Sequence, residues 1–332
     1  MSTPKAIFIL DAHYFPLIYS AAEQRDIAAL VSLVGPAQTA EAVARDPAPL
    51  REVELIFSGW GAPCLDAAFL DAAPRLRYVF YGAGSIRGIV TDAFWDRGLR
   101  ISSAWGANAV PVAEYAFAQI LFCLKLGWPL SRAVRAARTF VPREEAFGAY
   151  GSTVGIVSLG MIGRRVCELL RATDVRVIAH DPYATAEDAA KAGAILVGLD
   201  ELFARADVVS LHTPWLPETE NMVRGQHFRS MKRNASFINT ARGAVVAEPE
   251  MVEVLAARPD LQAVLDVTHP EPPTPDSPLY TLPNVILTPH IAGSVSGECT
   301  RHGRYMVEEL RRYLAGEPEQ WEITRERAAT LA

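Results

Sequence analysis

Thr153 to Gly163 reads T-V-G-I-V-S-L-G-M-I-G. Val154, Ile156, Val157 and Leu159 make a short apolar run suited to a buried strand, and a tight turn follows through Gly160 and Gly163. Ile162, Val166, Leu169 and Leu170 then fall at i, i+4, i+7 and i+8, one face of a helix. Strand, glycine turn and helix together form the entry to a dinucleotide-binding βαβ unit. The turn must be tight, the backbone must approach a pyrophosphate, and the helix N-terminus must offer free N–H groups and a positive dipole end. The next strand candidate, Val175 to His180, ends at Asp181, and 181 − 163 = 18 residues is near the spacing expected of a carboxylate that takes ribose hydroxyls. In the G-x-G-x-x-G pattern the first glycine is replaced by Ser158; Gly160 and Gly163 are in place.

Working outward, a chain of 332 residues that is 50% hydrophobic has room for two domains with sizeable cores. Its net charge is −6, with both signs interspersed, so nothing favours a nucleic acid or an anionic membrane as partner. The apolar run Ala6 to Leu10 is too short for a signal-peptide core or a membrane span. Cys64, Cys123, Cys167 and Cys299 form no C-x-x-C pair; they read as reduced thiols of a cytoplasmic protein, and no metal site is expected.

Upstream of the glycine turn, strands are expected at Ile7 to Leu10, Leu55 to Phe57 and Tyr78 to Tyr81. Helices are expected at Ala21 to Leu33 and at Leu65 to Ala72, with Asp66 in the first turn of the latter. Alternating β and α implies a parallel sheet, and ligands of such sheets lie beyond the carboxyl ends of the strands. Trp60 and the loop Gly82 to Ser85 stand at such ends, so Trp60, Ala83 and Gly84 are candidate substrate contacts, the loop offering N–H groups to an anion. Asn108 and Pro111 signal a helix start, and Val112 to Leu126 is apolar nearly all round, which places this helix between domains or in a subunit interface. Residues 128 to 150 read as an exposed arm or dimer contact. Downstream, strands are expected at Asp207 to His212, Ser236 to Thr240, Ala263 to Val267 and Val285 to Thr288, with helices at Asp200 to Ala204, Gln226 to Met231 and Pro249 to Arg258. A last helix, 297 to 315, carries Tyr305, Met306, Leu310 and Leu314 on one side and is expected to pack back on the N-terminal domain.

Arg242 in N-T-A-R-G, Asp266 in L-D-V, Glu271 in H-P-E-P-P and His290 in T-P-H-I-A-G all follow expected strand ends, where loops of a parallel sheet converge. This ordered set, with the D-P-Y at Asp181, Gly106-Ala107-Asn108-Ala109 and Leu211-His212-Thr213-Pro214, resembles the D-isomer-specific 2-hydroxyacid dehydrogenases over nearly the whole chain. The resemblance implies an α/β fold of two doubly wound parallel-sheet domains. A Rossmann NAD-binding domain, 105–293, is inserted in a flavodoxin-like substrate domain, 1–104 plus 294–332. It implies a catalytic set of His290 as acid/base at the substrate C2 oxygen, Glu271 on its far ring nitrogen, and Arg242 on the substrate carboxylate. Trp60, Ala83, Gly84, Arg242 and His290 would meet substrate. The cofactor would meet Ser158, Gly160, Met161, Ile162, Gly163, Asp181, His212, Thr213, Pro214, Thr240, Ala241, Arg242, Asp266, His290 and Gly293; Asp266 would hold the nicotinamide carboxamide.

The chemistry agrees. Hydride delivery to a 2-keto acid leaves an alkoxide that needs a proton; an imidazole holds one near neutral pH, and a carboxylate partner favours its charged form. A guanidinium binds a carboxylate bidentately. His212 reads as a positioning residue, not a proton carrier, and His269 as a loop residue. The Asp181 carboxylate suits ribose hydroxyls and repels a 2′-phosphate, so NAD is expected over NADP. The loop Ser85-Ile86-Arg87-Gly88 departs from the family pattern; Arg87 reads as a solvated surface residue, with a second anion contact as the alternative. Tyr81, Trp60, Trp105 and Trp215 around the cleft would fit a bulky substrate. Glu271, where formate dehydrogenases pair Gln with the histidine, argues against formate. The competing readings are phosphite oxidation on the same fold and a non-enzymatic NAD(H)-sensing protein of the corepressor type. The partners expected are a small 2-keto or 2-hydroxy acid and a second copy of the chain in a homodimer.

Overall fold

The computed structural model describes residues 3–329. Its strands are β1 (Lys5–Ile9), β2 (Ser32–Leu33), β3 (Leu55–Ser58), β4 (Tyr78–Tyr81), β5 (Arg100–Ser103), β6 (Thr153–Val157), β7 (Arg176–His180), β8 (Ile195–Leu196), β9 (Val208–Leu211), β10 (Ser236–Asn239), β11 (Gln262–Leu265), β12 (Val285–Leu287) and β13 (Glu322–Ile323). Two compact units divide the chain. Unit 2 runs from Ala109 to Gly293, and unit 1 takes the chain up to Asn108 together with the stretch from Ser294 onward. The first division falls inside the helix Trp105–Leu124, beyond the 104/105 boundary drawn from the sequence.

Among the described residues, unit 2 has a seven-stranded sheet in the order β12-β11-β10-β9-β6-β7-β8, all parallel. The strand order reverses at β6, which pairs with β7 on one side and β9 on the other. This is the doubly wound dinucleotide-binding arrangement with one strand added at an edge. Because helices cover both faces, β6 is apolar on both. Val154 and Ile156 pack with Ala116, Ile120 and Val166, whereas Val157 packs with Leu202, Phe203 and Val209.

Among the described residues, unit 1 has a six-stranded sheet in the order β13-β5-β4-β3-β1-β2. Its five parallel strands follow the flavodoxin-like order, and β13 adds antiparallel to β5. The helix Thr300–Ala315 returns to this unit, burying Met306, Val307 and Leu310 against Phe8, Phe57, Tyr78 and Phe80. Leu314, expected on its buried side, is 40% exposed because it lies in the last turn before the helix ends at Gly316.

Several local expectations are corrected. The helix from Ala21 stops at Ala28, since Ser32–Leu33 pairs with β1. Asp66 is the N-cap of Ala67–Ala72, its carboxylate accepting from Phe69 N–H, and so lies before the first turn. The helix expected from Asn108 begins at Trp105 and carries Pro111 inside it. That helix is not covered all round. Ala113, Ala116, Ile120, Cys123 and Leu124 face the unit 2 core, and Glu114, Ala118 and Phe122, spaced by four, form an exposed stripe. By length and composition alone it could cross a membrane, but half of it is buried against the protein. Within 128–150 the structure has a helix, Gly127–Ala137, followed by irregular chain in which Phe140 and Tyr150 are exposed.

Candidate functional site

The glycine turn delivers the helix Met161–Leu170. Gly163 is dictated by contact, because a Cβ there would lie 2.1 Å from the Ser158 carbonyl oxygen. Gly160 caps the helix with no side-chain bond, and a Cβ added to it would meet nothing within 4 Å. The helix N-terminus thus opens on space that any side chain would fill. Ser158 stands at the first glycine position with φ +79°, the left-handed region that glycine adopts freely. Asp181 is fixed beside it. Leu159 N–H donates to Oδ2 at 2.7 Å, the Ser158 hydroxyl lies 3.4 Å from the same oxygen, and Tyr183 N–H donates to Oδ1 at 2.8 Å. Met161 and Ile162 are half-buried on the first helical turn.

The loops after β9 and β10 carry the second group. His212 is buried and its Nε2 lies 3.0 Å from the Ser210 hydroxyl. Burial lowers its pKa to about 4, so the ring is neutral near pH 7. His212 Nδ1, Thr213 Oγ1 and Thr240 Oγ1 are buried polar atoms with no partner in the described residues. Orphaned buried polar atoms are rare and need an explanation, and a polar cofactor along these strand ends supplies one. Together with the space at Gly160 and the Asp181 carboxylate, they fit a dinucleotide. Pro214 closes this stretch, its carbonyl accepting from the Thr219 hydroxyl.

Asn239 shapes the turn that presents Arg242. Its Oδ1 accepts from Ala241 N–H at 2.9 Å and its Nδ2 donates to the Arg242 carbonyl at 3.1 Å. The Arg242 guanidinium donates to the Ala241 carbonyl at 2.6 Å. Gly243 next to it abuts the loop after β11, since a Cβ would lie 2.0 Å from Thr268 C and 2.5 Å from His269 N. The N-T-A-R-G and H-P-E-P-P segments are therefore in direct backbone contact.

His290 Nδ1 and Glu271 Oε1 are 2.6 Å apart, and the side chains are 48% and 39% exposed. His290 has φ +53°, and its N–H donates to the carbonyls of Asp266 and Thr288. The buried Asp266 carboxylate clamps this loop. Thr288 Oγ1 donates to Oδ1 at 2.5 Å, Ile291 N–H to Oδ1 at 2.9 Å, and Ala292 N–H to Oδ2 at 2.8 Å. Tyr115 backs the clamp with its hydroxyl 3.0 Å from Thr288 Oγ1. Gly293, half-buried, ends the unit. The Tyr115 and Thr288 contribution had no motif to mark it. The His269 ring packs edge-on against Trp215 at 5.3 Å, and the His269 backbone N–H donates to Glu248.

In unit 1, the Trp60 ring is half-buried between Tyr14 and His302, with centroids 5.0 Å and 5.4 Å away. Ala83 is fully buried, and its carbonyl accepts from the Ser103 hydroxyl at 2.8 Å. The same hydroxyl contacts the Gly84 carbonyl. Of the residues expected around the cleft, Tyr81 is buried in the core of unit 1 and Trp105 is half-buried against that core. Tyr81 points into its sheet's apolar face, and Trp105 meets Trp321 at 5.6 Å. Arg87 is exposed.

A family model described as D-isomer specific 2-hydroxyacid dehydrogenase, NAD binding domain, matches residues 117–292. A D-3-phosphoglycerate dehydrogenase of Archaeoglobus fulgidus is 32% identical over 254 residues, which is 76% of this chain and 48% of that protein. The chain thus spans about half the length of the phosphoglycerate dehydrogenases it matches. A glyoxylate reductase of Korarchaeum cryptofilum is 31% identical over 257 residues, covering 76% of this chain and 77% of that one. The crystal structure of a D-mandelate dehydrogenase from Rhodotorula graminis has the same fold, with a TM-score of 0.82 over 98% of each chain at 23% identity.

Proposed function

The chain belongs to the D-isomer specific 2-hydroxyacid dehydrogenase family, whose NAD-binding domain model covers most of unit 2, and we propose that it interconverts a 2-keto acid and a D-2-hydroxy acid. NAD is the cofactor, and when bound in its reduced form it supplies a hydride to the substrate C2 carbon. Every other step falls to side chains of the chain itself. Arg242 holds the substrate carboxylate in its planar fork and draws electron density from the C2 carbonyl. His290 gives its Nε2 proton to the C2 oxygen as the carbonyl becomes an alcohol, and takes it back in the oxidative direction. Glu271 accepts a hydrogen bond from His290 Nδ1–H, so the proton to be transferred resides on Nε2. The observation that carries this reading is the 2.6 Å His290–Glu271 contact on a loop held by three bonds to the Asp266 carboxylate.

Asp266, in this reading, has a second duty toward the nicotinamide carboxamide; a carboxylate accepts about four hydrogen bonds and three are taken by its own loop. Asp181 takes the adenosine ribose hydroxyls, and Gly160, Met161 and Ile162 receive the pyrophosphate at the helix N-terminus. Thr213, Thr240 and His212 offer their unpartnered atoms to the cofactor. Trp60, Ala83 and Gly84 contact the substrate. The molecule works as a cytoplasmic homodimer, a reading supported by four free cysteines and by the exposed Phe122, Phe140 and Tyr150 of unit 2.

The test is NADH oxidation with a panel of 2-keto acids, including glyoxylate, hydroxypyruvate and phenylpyruvate, by wild type and His290→Ala. Turnover of one acid, abolished in the variant, is the expected result. Tight NADH binding without turnover of any would move the assignment toward phosphite or a sensing role. Sedimentation at micromolar concentration checks the dimer, and a monomer would refute it.

A further inference from the structure

His302 is fully buried in unit 1 on the first turns of the helix Thr300–Ala315 and has no role assigned above. Its Nδ1 lies 3.1 Å from the Gly82 carbonyl and its Nε2 lies 2.9 Å from the Ser294 hydroxyl. A carbonyl only accepts, so Nδ1 carries the hydrogen, and Nε2 accepts from Ser294. Ser294 N–H donates in turn to Asn108 Oδ1 at 2.8 Å. Asn108 and Ser294 are the residues at which the chain leaves unit 1 and re-enters it. The Trp60 ring rests on the His302 ring, and Asn108 Nδ2 is 3.9 Å from where a Gly84 Cβ would be. The helix comes this close because of Gly303, where a Cβ would lie 2.0 Å from the Ile18 carbonyl.

The geometry points to His302 as a positioning residue for the substrate: it ties the Gly82–Gly84 loop and the Trp60 ring to both segments through which the chain passes between units. This rests on the reading of Trp60, Ala83 and Gly84 as substrate contacts. With the Gly82 carbonyl held by His302 and those of Ala83 and Gly84 held by Ser103, all three loop carbonyls are drawn onto unit 1. The loop's N–H edge is then held in one orientation for an anionic substrate group, and ordering it in advance spares that cost on binding. No reaction step passes through the ring.

Two variants test this, His302→Asn and Ser294→Ala. Hydrogen–deuterium exchange of wild type and variants reads the loop without any substrate. Exchange at 82–85 should rise by about tenfold, with that of unit 2 unchanged, as expected for loss of one buried hydrogen bond. Steady-state kinetics on the accepted keto acid should show KM raised about tenfold, kcat within about threefold and NADH affinity unchanged, with Ser294→Ala the milder. Unchanged exchange at 82–85 in both variants overturns the inference, as does a fall in kcat and NADH affinity with KM constant. If wild type turns over no keto acid, the functional reading fails, while exchange at 82–85 still decides whether His302 orders the loop.

Discussion

His290 follows β12 and His212 follows β9, both at carboxyl ends of one sheet, and their surroundings differ in each respect that governs a proton. His290 is half exposed, has a carboxylate 2.6 Å from one ring nitrogen, and sits on a loop pinned by Asp266. His212 is buried, has the Ser210 hydroxyl against its Nε2, and has its pKa pushed down to about 4 by loss of water. An imidazole becomes an acid/base only where its charged form is tolerated, and a buried ring beside a hydroxyl is confined to holding and orienting. Under the proposed function, one residue type serves both tasks, separated by solvation and partner.

The comparison can be broken most sharply at His290. His290→Ala should lower kcat/KM for the accepted keto acid by about 10²–10⁴-fold with NADH affinity little changed. Arg242→Lys should cost about 10²-fold, since an ammonium cannot grip a carboxylate with two parallel bonds; near-wild-type kcat/KM would remove Arg242 from its role. Glu271→Gln should cost about tenfold in kcat for reduction. An unchanged kcat in Glu271→Gln would contradict the pairing. His212→Asn should change kcat less than about threefold while weakening NADH binding; a loss as large as that of His290→Ala would end the distinction between the two rings.

The smallest effect lies in stability. With a folded pKa of about 4 against roughly 6.5 unfolded, His212 contributes fully above pH ~6.5. As pH falls toward 4 the unfolded chain takes a proton that the folded one refuses, and that contribution is lost. His302, lowered by burial to the same value, acts with the same sign. The Tm of wild type should therefore fall between pH 7.5 and pH 5, and less steeply in His212→Asn. Parallel Tm curves would show that the ring is not held neutral.

Strands buried on both faces were legible because they are mostly apolar, as in Val154–Val157 or Tyr78–Tyr81. The two-residue strands were not. Ser32–Leu33 has no periodicity of its own and exists through pairing with β1, so the preceding helix was read too long. Pro111 misled in the opposite direction, since proline is a helix-start signal and here lies inside a helix that begins at Trp105. The candidate residues could be found because short loops after parallel strands bring sequence-distant motifs to one edge. What holds them was hidden. The left-handed turns at Ser158 and His290, the Asp266 clamp and the His302 bridge depend on contacts between residues far apart in the chain, and no local pattern announces them.

The return of the helix Thr300–Ala315 to unit 1 has a consequence for how the chain is made. Unit 2 is one uninterrupted run of 293 − 109 + 1 = 185 residues, and it can be completed as it leaves the ribosome. Unit 1 cannot. Phe8, Phe57, Tyr78 and Phe80 are translated early, yet Met306, Val307 and Leu310, which cover them, arrive only after all of unit 2. At about 5–20 residues per second the delay is on the order of 10–40 s. For that interval the nascent chain carries a complete unit 2 and a unit 1 in which Tyr78 and Phe80 still lack the Tyr313 ring that packs on them, the surface on which a chaperone would be needed.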